Sequence, residues 1–431
     1  MASREQGPAV SREQGPAVSR EQGPAVSREH RPATSREHRP ATSREHEPAA
    51  PAYREQGPAA AGLLPSSFPT AADQCSPHLL ISQQQSPGLT EIMTSPTNLA
   101  MFLSVVWLFL LAPGTGGSPS ADIFERWMAD HGRTYRDEAE KDYRREVFAR
   151  NLEYVTAFRR DKGRRRSYTV GLNRFADHTK EEFLATYTGG NPPSVAWAPA
   201  PPPATVPAPF KYANTTAPSS MDWRDRGAVT PIKDQGNCGS CWAFSSVASI
   251  ESINQIANGE LISLSEQELL ACDNTNRKCK GGVHYKAFSF VVAHGGITTE
   301  ANYPYQPNQT ACDYSKLADN AVSLTSYSFV PSHSEESLMK AVANQPVSVS
   351  IDASEFMLYA GGIFDGPCEA KLNHEVTLVG YGTDGNGTKY WIAKNSWGTG
   401  WGDQGYILLE KDVDRKEGLC GLAIRASFPI I

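Results

Sequence analysis

The segment from Gln235 to Ser245 reads QGNCGSCWAFS and holds two cysteines, Cys238 and Cys241, at a CxxC spacing. That spacing alone is shared by redox dithiols, zinc half-sites and structural bridges. The residues after Cys241 predict a helix from 241 to 257, because apolar side chains recur at every third position. A helix N-terminus favours the thiolate, which is the nucleophilic form of cysteine. Cys241 is therefore the candidate nucleophile.

Two distant residues could complete a nucleophilic site. His374 opens a strand-like apolar run 133 positions after Cys241, and Asn395 lies 154 positions after it in the segment KNSWGTGWG. A lone histidine is more often structural than catalytic. A thiol with a nearby imidazole that is oriented by a third group is, however, the arrangement that nucleophilic catalysis requires.

The CGSCW and NSWGTGWG segments resemble those of the papain family of cysteine proteases, in which base and nucleophile are about 130–150 residues apart. The resemblance implies that Cys241 attacks the peptide carbonyl, His374 transfers the proton and Asn395 orients the imidazole. Gln235 would bind the oxyanion together with the backbone N–H of Cys241, and Trp397 would shield the bond between His374 and Asn395. No metal or organic cofactor is implied.

Seven of the eight cysteines lie in the second half of the chain, and only Cys75 lies in the first. The resemblance implies three disulfides that leave Cys241 free, namely Cys238–Cys279, Cys272–Cys312 and Cys368–Cys420; spacing alone cannot fix this pairing. The rival is a redox or zinc protein, with a four-thiolate zinc site built from Cys238, Cys241, Cys272 and Cys279. That rival leaves His374 and Asn395 without a role.

The pocket for the second substrate residue before the cut is where this chain departs from the family. Resemblance places backbone of Gly281 and Gly282 there, with walls formed by Val283, His284, Ser350, Glu375 and Arg425. Family members carry mostly small or apolar residues at these positions. One hypothesis pairs Glu375 with Arg425 and gives a narrower, polar pocket. The other has Glu375 perturb His374, which would leave a catalytically weak homologue that binds peptides.

Residues 118–190 are charged and rich in helix formers, and they predict two helices. Two patterns there resemble the inhibitory prodomain of the family. The first, of the ERFNIN type, is formed by Glu140, Arg144, Phe148, Asn151 and Val155, with Arg159 in place of the final asparagine. The second, of the GxNxFxD type, is formed by Gly171, Asn173, Phe175 and Asp177. The resemblance implies a segment that lies along the cleft and blocks it until removed.

The remaining chain divides by composition. Residues 1–92 carry a degenerate octapeptide repeat that is too poor in bulky apolar residues to fold. Residues 93–117 contain a 14-residue apolar run, Leu99–Ala112, typical of a signal-peptide core. We expect translation to start at Met93 or Met101; an internal signal-anchor is the alternative. Residues 191–216 form a Pro-rich linker, and residues 217–431 form the peptidase domain.

These observations predict an α+β protein with a two-lobed papain-like fold, one lobe helical and the other barrel-like, preceded by a helical prodomain. The expected function is a cysteine endopeptidase of the secretory pathway, destined for a vacuole or lysosome or for the cell exterior. Sequons at Asn214, Asn308 and Asn386 weakly support that route. A net charge of −6 gives no reason to expect nucleic-acid binding. Protein substrates, the prodomain and cystatin-type inhibitors are the expected partners of a monomer.

Overall fold

The computed structural model describes residues 119–161, 167–189 and 209–431. The octapeptide repeat, the Leu99–Ala112 run and most of the Pro-rich linker lie outside these residues. Within the described residues, no helix combines the length and the apolar character needed to cross a membrane.

Three helices, rather than the two expected, form the N-terminal segment. They are α1 (Pro119–Asp130), α2 (Glu138–Arg160) and α3 (Lys180–Tyr187), and a strand, β1 (Tyr168–Val170), lies between the last two. The third helix has only eight residues, too few for an apolar period to show. Its start is nevertheless encoded in a capping box, in which Thr179 and Glu182 bond each other's backbone N–H groups.

The first half of the remaining chain forms a helical lobe around its own apolar core. It contains α4 (Cys241–Asn258), α5 (Glu266–Cys272) and α6 (His284–His294). Ser265 and Glu268 have the sequence spacing of a capping box, which predicts a helix start at Ser265, but the box at α5 is only half formed. Ser265 accepts from the N–H of Glu268 at 3.0 Å, but the Glu268 carboxylate accepts instead from the N–H of Thr298 at 2.7 Å. Glu268 therefore ties α5 to the loop that follows α6.

The second half is dominated by strands, with one further helix, α7 (Glu335–Asn344). The strands are β2 (Met221–Asp222), β3 (Ser326–Phe329), β4 (Val347–Ile351), β5 (Tyr359–Phe364), β6 (His374–Thr383), β7 (Lys389–Lys394), β8 (Tyr406–Glu410) and β9 (Ala426–Ile430). They pair in the order β1-β5-β8-β7-β6-β4-β9-β3, with β2 on β6. Only β5 and β8 pair in parallel among the described strands. This mixed architecture confirms the predicted α+β fold.

The two lobes meet where α4 packs against β6. The Ser245 hydroxyl donates to the carbonyl of Val376 at 2.8 Å, and the Ser249 and Ser348 hydroxyls are 2.7 Å apart. Serines allow this close approach while pairing their own polar atoms. The contact fixes the start of α4 beside the start of β6, so Cys241 and His374 come from facing ends of two elements.

The N-terminal segment is joined to the sheet. Strand β1 pairs antiparallel with β5, with Tyr168 opposite Gly362. The Asn173 amide donates to the carbonyl of Met357 at 2.9 Å, and the Phe183 ring lies edge-on to Trp397 with centroids 5.0 Å apart. The motif residues predicted for an inhibitory prodomain therefore contact the domain that they precede.

Candidate active site

Cys241 is the first residue of α4 and is the free cysteine among the described residues. Its side chain is buried. Burial raises the pKa of the thiol, and the nearby carboxylate of Glu375 raises it further. Backbone N–H groups of Glu375 and Trp242 favour the thiolate but do not offset these two effects. The balance of these effects favours the neutral thiol in this state.

His374 is held by two neighbours. Its Nε2 lies 2.8 Å from Oδ1 of Asn395, and the Trp397 ring stacks on the imidazole with centroids 4.5 Å apart. Burial lowers the pKa of His374 to about 4, although the bond to Asn395 opposes this shift. Nδ1 has no hydrogen-bond partner among the described residues. The imidazole is therefore neutral and oriented, with one nitrogen left for proton transfer.

Gln235 is oriented by a residue that the sequence analysis did not identify. Its Oε1 accepts from the Ser396 hydroxyl at 2.7 Å, so the amide NH₂ must point the other way. That NH₂ donates to the carbonyl of Cys238 at 2.7 Å and to the carbonyl of Tyr187 at 3.0 Å. Ser396 follows Asn395 in the NSWG segment, and its place in that segment is the sequence signal that could have identified it.

The Tyr187 carbonyl that accepts from Gln235 belongs to residues 187–189, which we call the cleft segment. The Tyr187 carbonyl also accepts from Nε1 of Trp397 at 3.1 Å, and the Tyr187 hydroxyl donates to Oδ1 of Asn237 at 2.7 Å. Gly189 donates to the carbonyl of Asn373 at 2.7 Å. The cleft segment thus occupies the amide donor of Gln235 and bonds Trp397 and Asn373, the ring stacked on His374 and the residue that precedes it.

Gly281 shows why glycine is needed beside the cleft segment. Its φ is +97°, and a Cβ there would collide with the carbonyl oxygen of Gly189. A side chain at this position would therefore exclude the main chain that passes through the cleft. The neighbouring Gly282 is confined as well, because a Cβ on it would overlap Asn276 and Trp242.

The remaining pocket residues come together around Glu375. The Ser350 hydroxyl donates to Oε1 of Glu375 at 2.7 Å, and Nδ1 of His284 contacts Oε2. Val283 and Arg425 are also buried. The pairing of Glu375 with Arg425 stays a prediction, whereas the contacts to His284 and Ser350 were not foreseen.

Three disulfides join the pairs that the family resemblance implies: Cys238–Cys279, Cys272–Cys312 and Cys368–Cys420. They oxidise three of the four thiols of the rival zinc site. A thiolate in a disulfide cannot ligate zinc. Among the described residues this pairing leaves Cys241 as the free thiol, and it removes the zinc alternative.

A free thiol, an oriented imidazole and a covered amide donor are the parts of a thiol-dependent hydrolase held in a latent state. Comparison with known proteins agrees with this class. Residues 217–430 match the papain family cysteine protease model, and residues 124–183 match the cathepsin propeptide inhibitor domain. The senescence-specific cysteine protease SAG12 of Arabidopsis thaliana is 48% identical over 310 residues, which are 71% of this chain and 88% of that protein.

Solved precursor structures are also similar. A recombinant stem bromelain precursor shares 42% identity and a TM-score of 0.65, covering 73% of this chain and 99% of that one. The proform of the ragweed pollen allergen Amb a 11 shares 38% identity and a TM-score of 0.64, covering 72% and 94%. The chain belongs to the papain family. It is a cysteine endopeptidase made as a zymogen, and its own prodomain is its intramolecular inhibitor.

Proposed function

We propose that Cys241 is the nucleophile of this endopeptidase, His374 its general base and acid, and Asn395 the residue that orients the imidazole. The bond from Nε2 of His374 to Asn395 supports these roles, because it leaves Nδ1 as the nitrogen that exchanges a proton with the thiol. The Cys241 thiolate adds to the peptide carbonyl, and His374 then protonates the departing amine. Water, deprotonated by His374, hydrolyses the resulting thioester.

Gln235 would stabilise the oxyanion together with the backbone N–H of Cys241. The observation that carries this proposal is the Tyr187 carbonyl, which already accepts from Nε2 of Gln235 at 3.0 Å. A main-chain carbonyl of the prodomain thus occupies the amide donor that a scissile carbonyl would use. Fixed donors of this kind stabilise the developing charge without reorganisation.

Latency follows from burial as well as from obstruction. Burial under the cleft segment raises the pKa of Cys241 and lowers that of His374 to about 4, so both shifts oppose the thiolate–imidazolium pair. Removal of the prodomain would return water to the cleft and relax both shifts. Both shifts favour the neutral forms of Cys241 and His374, so burial contributes to latency in addition to obstruction of the cleft.

We also propose that residues 118–190 are removed as the prodomain and that residues 217–431 form the mature enzyme. Gly281, Gly282, Val283, His284, Ser350, Glu375, Arg425 and Trp397 would contact the substrate. The three sequon asparagines are exposed, as glycosylation in the secretory pathway requires. Delivery to an acidic vacuole or lysosome or to the exterior, a monomeric state and sensitivity to cystatin-type inhibitors complete the proposal.

Active-site labelling tests the assignment of residues. The zymogen beginning at residue 118 is matured at acidic pH and treated with an alkylating or epoxide probe, with Cys241→Ala as the matched control. We expect one label per chain on Cys241, lost on heating and absent from the variant. Peptide cleavage that survives Cys241→Ala, or labelling that leaves cleavage intact, would overturn it.

A further inference from the structure

A buried polar cluster joins the two lobes directly beside the catalytic histidine. Glu375 follows His374 at the start of β6, Ser350 lies opposite it on β4, and His284 is the first residue of α6. Ser350 donates to one carboxylate oxygen at 2.7 Å, and Nδ1 of His284 contacts the other. The side chains of Glu375 and His284 are both 0% exposed. Each oxygen of Glu375 therefore already has a partner.

One ring nitrogen of His284 makes no hydrogen bond with the described residues. This nitrogen, Nε2, is buried. Buried polar atoms are almost always paired, and an unpaired one is costly. In the zymogen Nε2 of His284 is therefore a buried polar atom that the described residues leave unpaired.

The cleft segment contacts the main chain on both sides of this cluster. Gly189 donates to the carbonyl of Asn373, which lies two residues before Glu375, and its own carbonyl abuts Gly281, three residues before His284. Glycine offers the cluster no side chain. A substrate whose main chain follows the same path would instead present a side chain at this position.

We propose that His284 and Glu375 select a substrate with a primary amide side chain, glutamine or asparagine, at the position that Gly189 occupies in the zymogen. This inference rests on the proposed function, since it concerns the substrate of the same cleft. An amide can donate as well as accept, so it satisfies Nε2 of His284 whether that nitrogen carries a proton or not. An aliphatic side chain would bury Nε2 unpaired.

Basic side chains are also disfavoured at this position. The carboxylate of Glu375 is occupied by the donors of Ser350 and His284, so it has little capacity for a lysine or arginine. Burial raises the pKa of Tyr285; the charge of Arg425 opposes this shift and the charge of Glu375 adds to it, so the Arg425 guanidinium brings positive charge to the same region. A glutamate in a substrate-binding pocket would ordinarily suggest a basic substrate, and here its contacts argue against one.

The experiment compares matched fluorogenic peptides that differ only at the residue second before the cut, carrying Gln, Asn, Leu, Phe, Ala or Arg. For the matured enzyme we expect kcat/KM for Gln or Asn to exceed that for Leu by about tenfold or more, the effect of one buried unpaired group. His284→Leu should reverse this ratio, and Glu375→Gln should reduce it. Ser289→Ala, an exposed change on the same helix, should leave it unaltered.

Two further measurements separate the possible failures. Stoichiometric labelling of Cys241 shows that each variant is folded and active. Equilibrium binding of the same peptides to matured Cys241→Ala protein measures the preference even if catalysis fails. Equal or better turnover of the Leu, Ala or Arg peptide by a fully labelled wild type, or an unchanged ratio in His284→Leu, refutes the selectivity. Absence of labelling with intact amide-selective binding refutes only the proposed function.

Discussion

Truncating Tyr187 to alanine is expected to open the zymogen. The ring is 2% exposed and packs with Phe175 at a centroid distance of 4.6 Å, while its hydroxyl donates to Asn237 at 2.7 Å. Loss of a buried aromatic ring costs about 3–5 kcal/mol. Because several neighbours belong to the same prodomain, we assign about 2–4 kcal/mol to docking, which makes the open form about 30- to 1000-fold more populated.

The rate of alkylation of Cys241 in unprocessed zymogen at neutral pH measures that opening, because the thiol is covered in the closed form. Tyr187→Ala should react about 30- to 1000-fold faster. Tyr187→Phe loses only one hydrogen bond and should react at most about tenfold faster. Tyr154→Ala, a change at a ring that is 49% exposed on α2, is the control and should match wild type. A Tyr187→Ala rate within twofold of wild type would show that the cleft segment is not the barrier.

Other perturbations follow from the same contacts. Burial opposes ionisation of Asp177, but hydrogen bonds and charge from His178 and Arg133 hold its pKa below the ordinary value. Its stabilisation is therefore present above the unfolded pKa of about 3.9 and is lost as pH falls through the folded pKa. Thermal unfolding of the zymogen should show this acid-dependent loss, and Asp177→Asn should remove it. Asn395→Ala should lower kcat about 10- to 100-fold with little change in KM, since it frees the imidazole; an equal change in KM would contradict this role. Replacing Cys368 and Cys420 by serine removes a cross-link over a separation of 52 residues and should lower the free energy of unfolding by about 4 kcal/mol, as judged by denaturant titration. An unchanged midpoint would refute that estimate.

Short sequence motifs account for most of what could be predicted. Cys241 and Asn395 each lie in a dense motif, and the strands β4, β6, β7 and β8 follow short β-branched or aromatic runs. The short helix α3 was not predicted because its eight residues, little more than two turns, are too few to show an apolar period. Its capping box is nevertheless visible in the sequence.

Contacts between distant residues that belong to no motif could not be predicted. His284 and Glu375 are 91 positions apart and no local period links them. The sequence analysis therefore identified Glu375 as unusual but did not foresee its contact with His284. The carboxylate of Glu268 shows the same limitation. The sequence spacing predicts that it bonds the backbone N–H of Ser265, the N-cap residue of its own helix, but in the fold it accepts from the N–H of Thr298. Tertiary packing decides which donor a carboxylate bonds, and a sequence pattern does not reveal that packing.

The pairing of β1 with β5 has a consequence for the mature enzyme. Once the prodomain is cut away, Tyr359–Phe364 becomes the border of the sheet, and its backbone groups lose the neighbour that Tyr168–Val170 supplied. An exposed sheet edge of this kind can pair with a strand of another chain. Here the border is centred on Gly361 and Gly362, and glycine at position 362 leaves room for a neighbouring backbone, since a Cβ there would collide with the carbonyl of Ser167. Maturation therefore exposes a sheet edge that is open to main-chain pairing.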